Sequence, residues 1–313
     1  MTPETVERGL PEGPKSDSSF RRKMRMHQSC WREAQGLDYA ASKQGGGYGN
    51  LLSDTDGGAG KNFYSEAIFH VVKDRIDAGP GVEPNRCKCN LLSSQPMAFN
   101  LFAPLCLDSQ LAIALLNPVL PGGVRAAKVY FEYSPGPDAA DPANDRSYRP
   151  HLSYLGDHTS FDVAINYITL SGDNAFAGIE VKLSEPFSPK RYGIDDRYAD
   201  HWADQDVWNK RPTIDPTAPA LNQIWRTHML AQAHHRAGNV KAATAVVLHH
   251  SGDSNCAKAV KNYLCLLSPR PDATLFHWTI GKLTEEWAEI LLGRPELDRG
   301  WLEWFMKRYP DPL

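Results

Sequence analysis

Three charged residues that could act together stand on two neighbouring segments of the sequence that predict β-strands. Asp162 lies near the start of the strand-like run 161–170, and Glu180 and Lys182 lie near the end of the next run, 176–183. Side chains alternate between the two faces of a strand, so Glu180 and Lys182, two positions apart, project to the same side. Whether they form a site depends on where Asp162 lies.

A hairpin between the two runs decides the position of Asp162. Residues 171–174 read Ser-Gly-Asp-Asn, which predicts a turn between antiparallel strands. A turn centred near residues 172–173 places Asp162 roughly opposite positions 182–184. The three charges then share one cleft, while Val181 points to the other face of the strand, into a core.

Such a cluster is unfavourable without a counterion, because two neighbouring carboxylates repel each other and burial removes them from water. A hard cation relieves both effects, and Mg²⁺ favours one or two carboxylates together with water and phosphate oxygens. The ion can activate water, and an ammonium can position or help deprotonate that water or neutralise charge on a phosphate. The pattern therefore predicts a Mg²⁺ site, with Mn²⁺ as a substitute, at Asp162 and Glu180, assisted by Lys182.

The elements that must position these residues follow one another in a simple order. Ser93 and Ser94 predict the start of a helical region that runs to residue 116, with Pro104 kinking or dividing it. Hydrophobic periodicity then predicts three strands, a helix and a further short strand, at 128–133, 161–170, 176–183, 221–237 and 242–249. The order from residue 93 onward is therefore α-β-β-β-α-β.

The motif D-(17 residues)-E-V-K, set in this order of elements, resembles the PD-(D/E)XK nuclease superfamily. The resemblance covers about residues 93–250, and the phrase Ile-Glu-Val-Lys-Leu-Ser-Glu at 179–185 looks like a divergent bacterial group within it. It implies a restriction-endonuclease-like α/β fold, in which helices flank a central mixed sheet. It also implies Asp162 and Glu180 as metal ligands and Lys182 as the catalytic lysine of an endonuclease or exonuclease. Such an enzyme would hydrolyse phosphodiester bonds of DNA in defence or DNA processing.

The sequence departs from the family pattern at two places. Phe161, rather than Pro, precedes Asp162, which leaves the ligand itself in place. Many members also carry an acidic residue on the first core helix, and this helix has none near its start. Gln95 or Asn100 on that helix, or Glu66 on an earlier one, is left as the candidate for the missing group.

The resemblance also implies polar groups on the helix that follows the third core strand. Gln223 and Arg226 stand three residues apart and share one face of that helix. Arg226 suits bidentate contact with phosphate. Basic residues around 21–32 and the pair Lys190-Arg191 are further candidates for holding a DNA backbone, although a charge run is more often a solvated helix face.

The chain as a whole predicts a single nuclease domain at 20–313. A Pro-, Gly- and Ser-rich segment, 1–19, is expected to be disordered, a helical extension covers 20–92, and a helical elaboration covers 251–313.

The bulk composition excludes some function classes. No run approaches the ~20 apolar residues that span a bilayer, and the N-terminus lacks a secretory signal, so the expected location is the cytoplasm without a membrane partner. Six scattered cysteines do not form a disulfide framework, and neither HExxH nor GxSxG occurs. The net charge of −3 counts mildly against a nucleic-acid binder without excluding an enzyme whose cations line one cleft.

Two alternatives to an active nuclease stay open on the same scaffold. The absence of an acid on the first core helix favours a non-catalytic nucleic-acid-binding module. The acidic net charge is consistent with an interaction subunit of a larger defence complex. A homodimer is also left open.

Overall fold

A five-stranded mixed sheet forms the centre of the protein. A computed structural model describes residues 13–40, 48–136, 153–194, 196–209, 214–269 and 273–312. The strands are β1 Ala126–Tyr133, β2 Phe161–Ile168, β3 Asn174–Lys182, β4 Ala242–His249 and β5 Leu275–Thr279. They lie side by side in chain order, with antiparallel pairing from β1 to β3 and parallel pairing from β3 to β5.

Helices cover both faces of this sheet. Over the described residues they are α1 Ser19–Ala34, α2 Asp54–Gly58, α3 Glu66–Asp77, α4 Pro84–Cys89, α5 Ser94–Leu107, α6 Ser109–Leu116, α7 Asp196–Trp202, α8 Pro219–Arg236, α9 Ser254–Leu264, α10 Ile280–Leu292 and α11 Gly300–Arg308. Helices α5 and α6 contact β1, and α8 and α9 contact β4. The predicted order α-β-β-β-α-β is confirmed as α5-β1-β2-β3-α8-β4, with helices flanking a mixed sheet.

Strand alternation divides the buried side chains between two cores. On one face of the sheet, Ile179 and Val181 pack in a core with Phe99 of α5, and this core also receives Met24 of α1 and Phe305 of α11. The opposite core lies beneath α8; its members include Ala164, Phe176, Val247, Trp225 and Leu230. Burial of each large apolar side chain contributes roughly 1.5–3 kcal/mol. Both faces of β3 are therefore covered, which leaves its carboxyl end as the place where polar groups can gather.

The helical region after Ser93 is divided at Asp108 rather than at Pro104. Helix α5 continues through Pro104 to Leu107, and the Asp108 carboxylate then accepts hydrogen bonds from the backbone N–H groups of Gln110 and Leu111 at the start of α6. An N-terminal cap of this kind starts a new helix in a new direction. No single described helix is long and apolar enough to cross a membrane; α5 and α6 pass that test only together, bent by 114°.

The end of the N-terminal segment that is expected to be disordered, residues 13–19, makes contacts with α1. Residues 1–12 lie outside the described residues. Asp17, however, is buried and forms an ion pair with Arg25 at 2.7 Å, and the Ser18 hydroxyl caps α1. Helix α1 is also joined to the end of the chain, because the Gln28 side chain donates to the Arg308 carbonyl at 2.8 Å.

Candidate active site

The three predicted residues meet where β3 ends and β2 begins. The β2–β3 ladder ends at the pair Val163–Ile179, and one step further Asp162 lies opposite Glu180. There the Asp162 Oδ2 atom accepts a hydrogen bond of 2.6 Å from the Val181 backbone N–H. The carboxylate thus takes the place of a strand carbonyl, which fixes its position at the mouth of the hairpin.

The register of this hairpin differs from the one expected: Asp162 lies opposite Glu180 rather than opposite residues 182–184. Ile168 pairs with Asn174, so the turn is centred on Ser171 rather than between residues 172 and 173. Gly172 adopts a φ of 94°, a left-handed conformation that glycine accepts without strain and that shortens the turn. Directly opposite residues of an antiparallel pair project to the same face of the sheet, so Asp162 lies on the face that carries Glu180 and Lys182.

A glutamine from α8 links the two charged residues of β3. Lys182 Nζ lies 2.9 Å from Glu180 Oε1, and Gln223 Nε2 donates to that same oxygen at 2.6 Å. The Gln223 Oε1 atom accepts from Lys182 Nζ at 3.2 Å and from the Ser188 backbone N–H at 2.9 Å. Gln223 therefore holds the Glu180 carboxylate and the Lys182 ammonium in a fixed relation and links both to the loop after β3.

Burial and mutual charge set the protonation of this cluster. Burial raises the pKa of Asp162 well above its ordinary value, and the charges of Glu180 and Glu132 raise it further. For Lys182, burial opposes the charged form, but Glu180 and Asp162 outweigh burial and raise its pKa. Lys182 is therefore an ammonium group at neutral pH, able to donate protons in hydrogen bonds but not to accept one.

Phe161, which stands in the place of Pro, is packed against a glycine of the next strand. A Cβ atom on Gly178 would lie 2.4 Å from the Phe161 ring, so only glycine leaves room for it. The ring also contacts Phe176 at a centroid distance of 5.4 Å. This packing anchors the residue directly before Asp162 and gives a physical role to the departure from the family pattern.

Sequence reasoning missed a third buried carboxylate beside the cluster, Glu132 on β1. The pairs Phe131–Val163 and Tyr133–Phe161 place Glu132 opposite Asp162. Burial raises the pKa of Glu132 to about 7 against the opposing effect of its Gln95 hydrogen bond, and the Glu180 charge also raises it. The available signal was a glutamate within the aromatic strand run 128–133.

The three candidates for the missing acidic group lie at different places in the structure, and only Gln95 contacts a residue beside the cluster. Gln95 of α5 reaches the cluster indirectly, because its Nε2 donates to Glu132 Oε1 at 2.7 Å. The structure does not bring Asn100 there: its fully buried side chain bonds the backbone of Tyr64 and Asn62. Nor does it bring Glu66, whose exposed carboxylate lies 3.8 Å from His70 at the start of α3.

The Arg226 guanidinium is bound within the protein and is not exposed to a phosphate. Its guanidinium is buried, donates to Thr159 Oγ1 at 2.5 Å and to Asp157 Oδ2 at 3.2 Å, and lies over the Tyr192 ring. The segment that leads into β2 is held by these contacts. Arg226 therefore acts on Asp162 indirectly, because the residues that it binds lie three to five positions before Asp162 in the sequence. It does not face the cleft with Gln223.

The basic stretch 21–32 is also largely used within the protein. Arg25 and Arg32 are buried, and Arg32 donates to the Gly49 carbonyl at 2.8 Å. Arg21 donates to the Ser184 carbonyl at 3.3 Å, which brings the start of α1 to the loop after β3. Lys23 of this stretch and Lys190 on that loop are exposed and stay available to a polyanion.

Glu185 fastens the end of β3 to the start of α5. Its Oε1 atom accepts from the Ser94 backbone N–H at 2.8 Å and from Arg86 at 2.9 Å, and its Oε2 atom accepts from the Ser184 backbone N–H at 3.0 Å. Burial opposes its ionisation, but Lys182 and these hydrogen bonds outweigh burial and lower the pKa of Glu185 to about 2. The ionised carboxylate is therefore a clamp between two elements of the site.

The contribution of the Glu185 hydrogen bonds to the free energy of unfolding decreases as the pH falls. Because the folded-state pKa lies below the unfolded value of about 4.3, the contribution is complete above pH 4.3 and is lost as pH falls toward 2. We expect Glu185→Gln to lower the free energy of unfolding by about 1–3 kcal/mol at pH 6 and by roughly half as much near pH 3. Urea unfolding of both proteins at the two pH values measures the difference; an equal difference at both would contradict the assignment.

The donor chemistry of the cluster fits a divalent metal ion. Among the described residues, no group of three His, Cys, Asp or Glu side chains forms a ready-made metal cage. Mg²⁺ does not require one, since it commonly binds through one or two carboxylates and keeps several waters. Asp162 Oδ1 and Glu180 Oε2 receive no hydrogen bond from the described residues, which leaves one hard oxygen on each carboxylate for an ion.

Comparison with known proteins places this geometry in a family. The family model of the PD-(D/E)XK nuclease superfamily matches residues 15–311, which include both helical extensions as well as the core. No curated protein and no solved structure matches the chain significantly. Members of this superfamily are usually nucleases that use divalent metals, and divergent members can be inactive. With its mixed sheet flanked by helices and its D-E-x-K residues at one strand end, the chain belongs to the PD-(D/E)XK nuclease superfamily.

Proposed function

We propose that the protein is a Mg²⁺-dependent nuclease that hydrolyses phosphodiester bonds of DNA, with Mn²⁺ able to replace Mg²⁺. The observation that carries the proposal is the joining of Asp162, Glu180 and Lys182 at one strand end, with Gln223 bound to both residues of β3. Membership of the superfamily supports the same chemistry. A role in defence or DNA processing, as the resemblance implies, would follow from that activity.

Each residue of the cluster has a role that follows from its contacts. Asp162 and Glu180 would hold the ion through their second oxygens, and a bound ion supplies positive charge that polarises the phosphoryl group and acidifies water. Lys182, held as an ammonium by its neighbours, donates a hydrogen bond to the attacking water or to a phosphate oxygen and offsets negative charge there. Gln223 keeps Lys182 aimed into the cleft.

The rim of the cleft carries cations that suit a polyanionic backbone. Lys190 is exposed and lies two residues after Ser188, whose backbone N–H is bound to Gln223. Arg86 is 44% exposed in its side chain while contacting Glu185. Phosphate contacts of this kind position a nucleic acid without reading its sequence. They explain how a chain of net charge −3 can still bind DNA locally.

The test is a cleavage panel with the purified full chain. Single-stranded, duplex and modified DNA and an RNA of matched sequence are incubated with Mg²⁺, with Mn²⁺ and with EDTA. We expect cleavage of at least one DNA substrate with either ion and none with EDTA. DNA binding without metal-dependent cleavage of any substrate would favour the non-catalytic module, and the absence of both would favour an interaction subunit. Cleavage of RNA alone would overturn the choice of DNA.

A further inference from the structure

Glu132 has a backbone conformation that its residue type rarely adopts. Its φ is 47°, and among the described residues it is the only non-glycine residue with a positive φ. Glutamate pays a steric cost in this left-handed region, so an observed case points to a constraint from the surrounding structure. Glu132 also lies inside a strand, one residue before the end of β1, where regular extended backbone would be expected.

An arginine from a separate helix holds this conformation. Arg75 of α3 donates from Nε to the Phe131 carbonyl at 2.7 Å and from Nη2 to the Glu132 carbonyl at 3.0 Å. The same guanidinium donates to the carbonyls of Gly79 and Pro80. Arg75 thus binds the backbone on both sides of the turn, and its charge also lowers the pKa of Glu132 against the effect of burial.

The left-handed turn directs the carboxylate toward the other two acids. Glu132 is 8% exposed and lies opposite Asp162 across the β1–β2 ladder. Its oxygens accept hydrogen bonds from Gln95 Nε2 at 2.7 Å and from Ser160 Oγ at 3.4 Å. Glu180 has an ion pair with Lys182 at 2.9 Å, while the charge of Arg75, whose guanidinium is bound to backbone carbonyls, favours the ionised form of Glu132.

We propose that Glu132 is a third carboxylate ligand of the metal centre, supplied by β1 in place of an acid on the first core helix, and that Gln95 is the positioning residue that orients it. The inference rests on the proposed function and deepens it. Gln95 holds one oxygen from the helix, which leaves the other, bound only by the longer Ser160 contact, to turn toward an ion beside Asp162. The strained turn and the gathering of three buried acids then share one cause, since a divalent cation relieves the repulsion among the three acids.

Metal affinity, measured without substrate, tests this assignment. Calorimetric titration with Mn²⁺ is applied to the wild-type chain, to Glu132→Gln, to Gln95→Leu and to Glu286→Gln, an exposed glutamate on α10 that serves as the matched control. We expect Glu132→Gln to weaken Mn²⁺ binding by 10-fold or more, Gln95→Leu to weaken it less, and Glu286→Gln to leave it unchanged. A purely structural role for Glu132 would change the melting temperature but not the affinity.

The outcomes separate this inference from the proposed function. Wild-type affinity in a folded Glu132→Gln protein, with Mn²⁺ bound by both chains, would overturn the role of Glu132 and leave the nuclease proposal standing. Failure of the wild-type chain to bind Mn²⁺ at all would overturn both. If Glu132→Gln does not fold, Glu132→Asp keeps the charge but withdraws it by one methylene group, and an unchanged affinity in that variant would overturn the inference.

Discussion

Replacing Lys182 with methionine is expected to slow phosphodiester cleavage by about 10²–10⁴-fold, the range measured for loss of one positioned acid–base or charge-stabilising group. Methionine fills a similar volume, and the buried apolar part of the Lys182 side chain is largely kept. The variant loses the ammonium that faces Glu180 and Gln223. Single-turnover cleavage in Mg²⁺ measures the chemical step directly, and circular dichroism checks that the fold is retained.

A lysine at the opposite end of the sheet provides the matched control for this experiment. Lys241 is exposed and directly precedes β4, whose other end, at His249, pairs with Lys182. Lys241→Met removes the same charge from the same protein without touching the cleft, so its cleavage rate should equal that of the wild type. Cleavage by Lys182→Met at the wild-type rate would remove Lys182 from the mechanism, whatever metal is supplied.

The fold was accessible from sequence because its elements carry strong local signals. Alternation placed β2 and β3, and the same alternation put Glu180 and Lys182 on one face with Val181 on the other. The position of the hairpin turn was less accessible. It depends on Gly172 adopting a left-handed φ, which closes the turn around Ser171, and glycine permits several turn geometries equally well. The error in register did not separate the three charges, because Asp162 lies opposite Glu180 and opposite residues share a face.

The surroundings of the site were harder to predict for a different reason. Arg226 has the spacing of a site residue, yet it is used by Asp157 and Thr159, which precede β2 and lie far from it in sequence. Glu132 is brought to the cluster by a strained backbone and by an arginine on α3, and neither has a periodic signature. Helical and strand periods report which face a residue occupies, but they do not report which side chain a distant segment will bind.

Replacing Asp162 with asparagine is expected to abolish cleavage and, at the same time, to raise the melting temperature of the metal-free protein. Burial and the charges of Glu180 and Glu132 raise the pKa of Asp162, so its ionised form costs folding free energy at neutral pH when no metal is bound. Asparagine keeps an oxygen that can accept from the Val181 N–H and removes the charge. A gain of about 1 kcal/mol would raise the melting temperature by roughly 2–4 °C.

The sign of the pH dependence distinguishes this explanation from a general packing effect. A raised folded-state pKa means that the penalty is absent at low pH, where Asp162 is protonated in both states, and grows as pH rises from the unfolded pKa to the folded one. The advantage of Asp162→Asn in EDTA should therefore increase as pH rises above the unfolded value of about 3.9. Adding Mg²⁺ should stabilise the wild type but not the variant, because only a protein that binds the ion gains by mass action.

The matched control for this last prediction is Asp74→Asn, which changes an exposed carboxylate on α3. Its melting temperature should follow that of the wild type at every pH and with either EDTA or Mg²⁺. A less stable metal-free Asp162→Asn protein would mean that the carboxylate is a structural group satisfied within the fold. The gain in stability together with the loss of cleavage would instead mean that Asp162 is kept at a cost to folding, for the sake of the ion it binds.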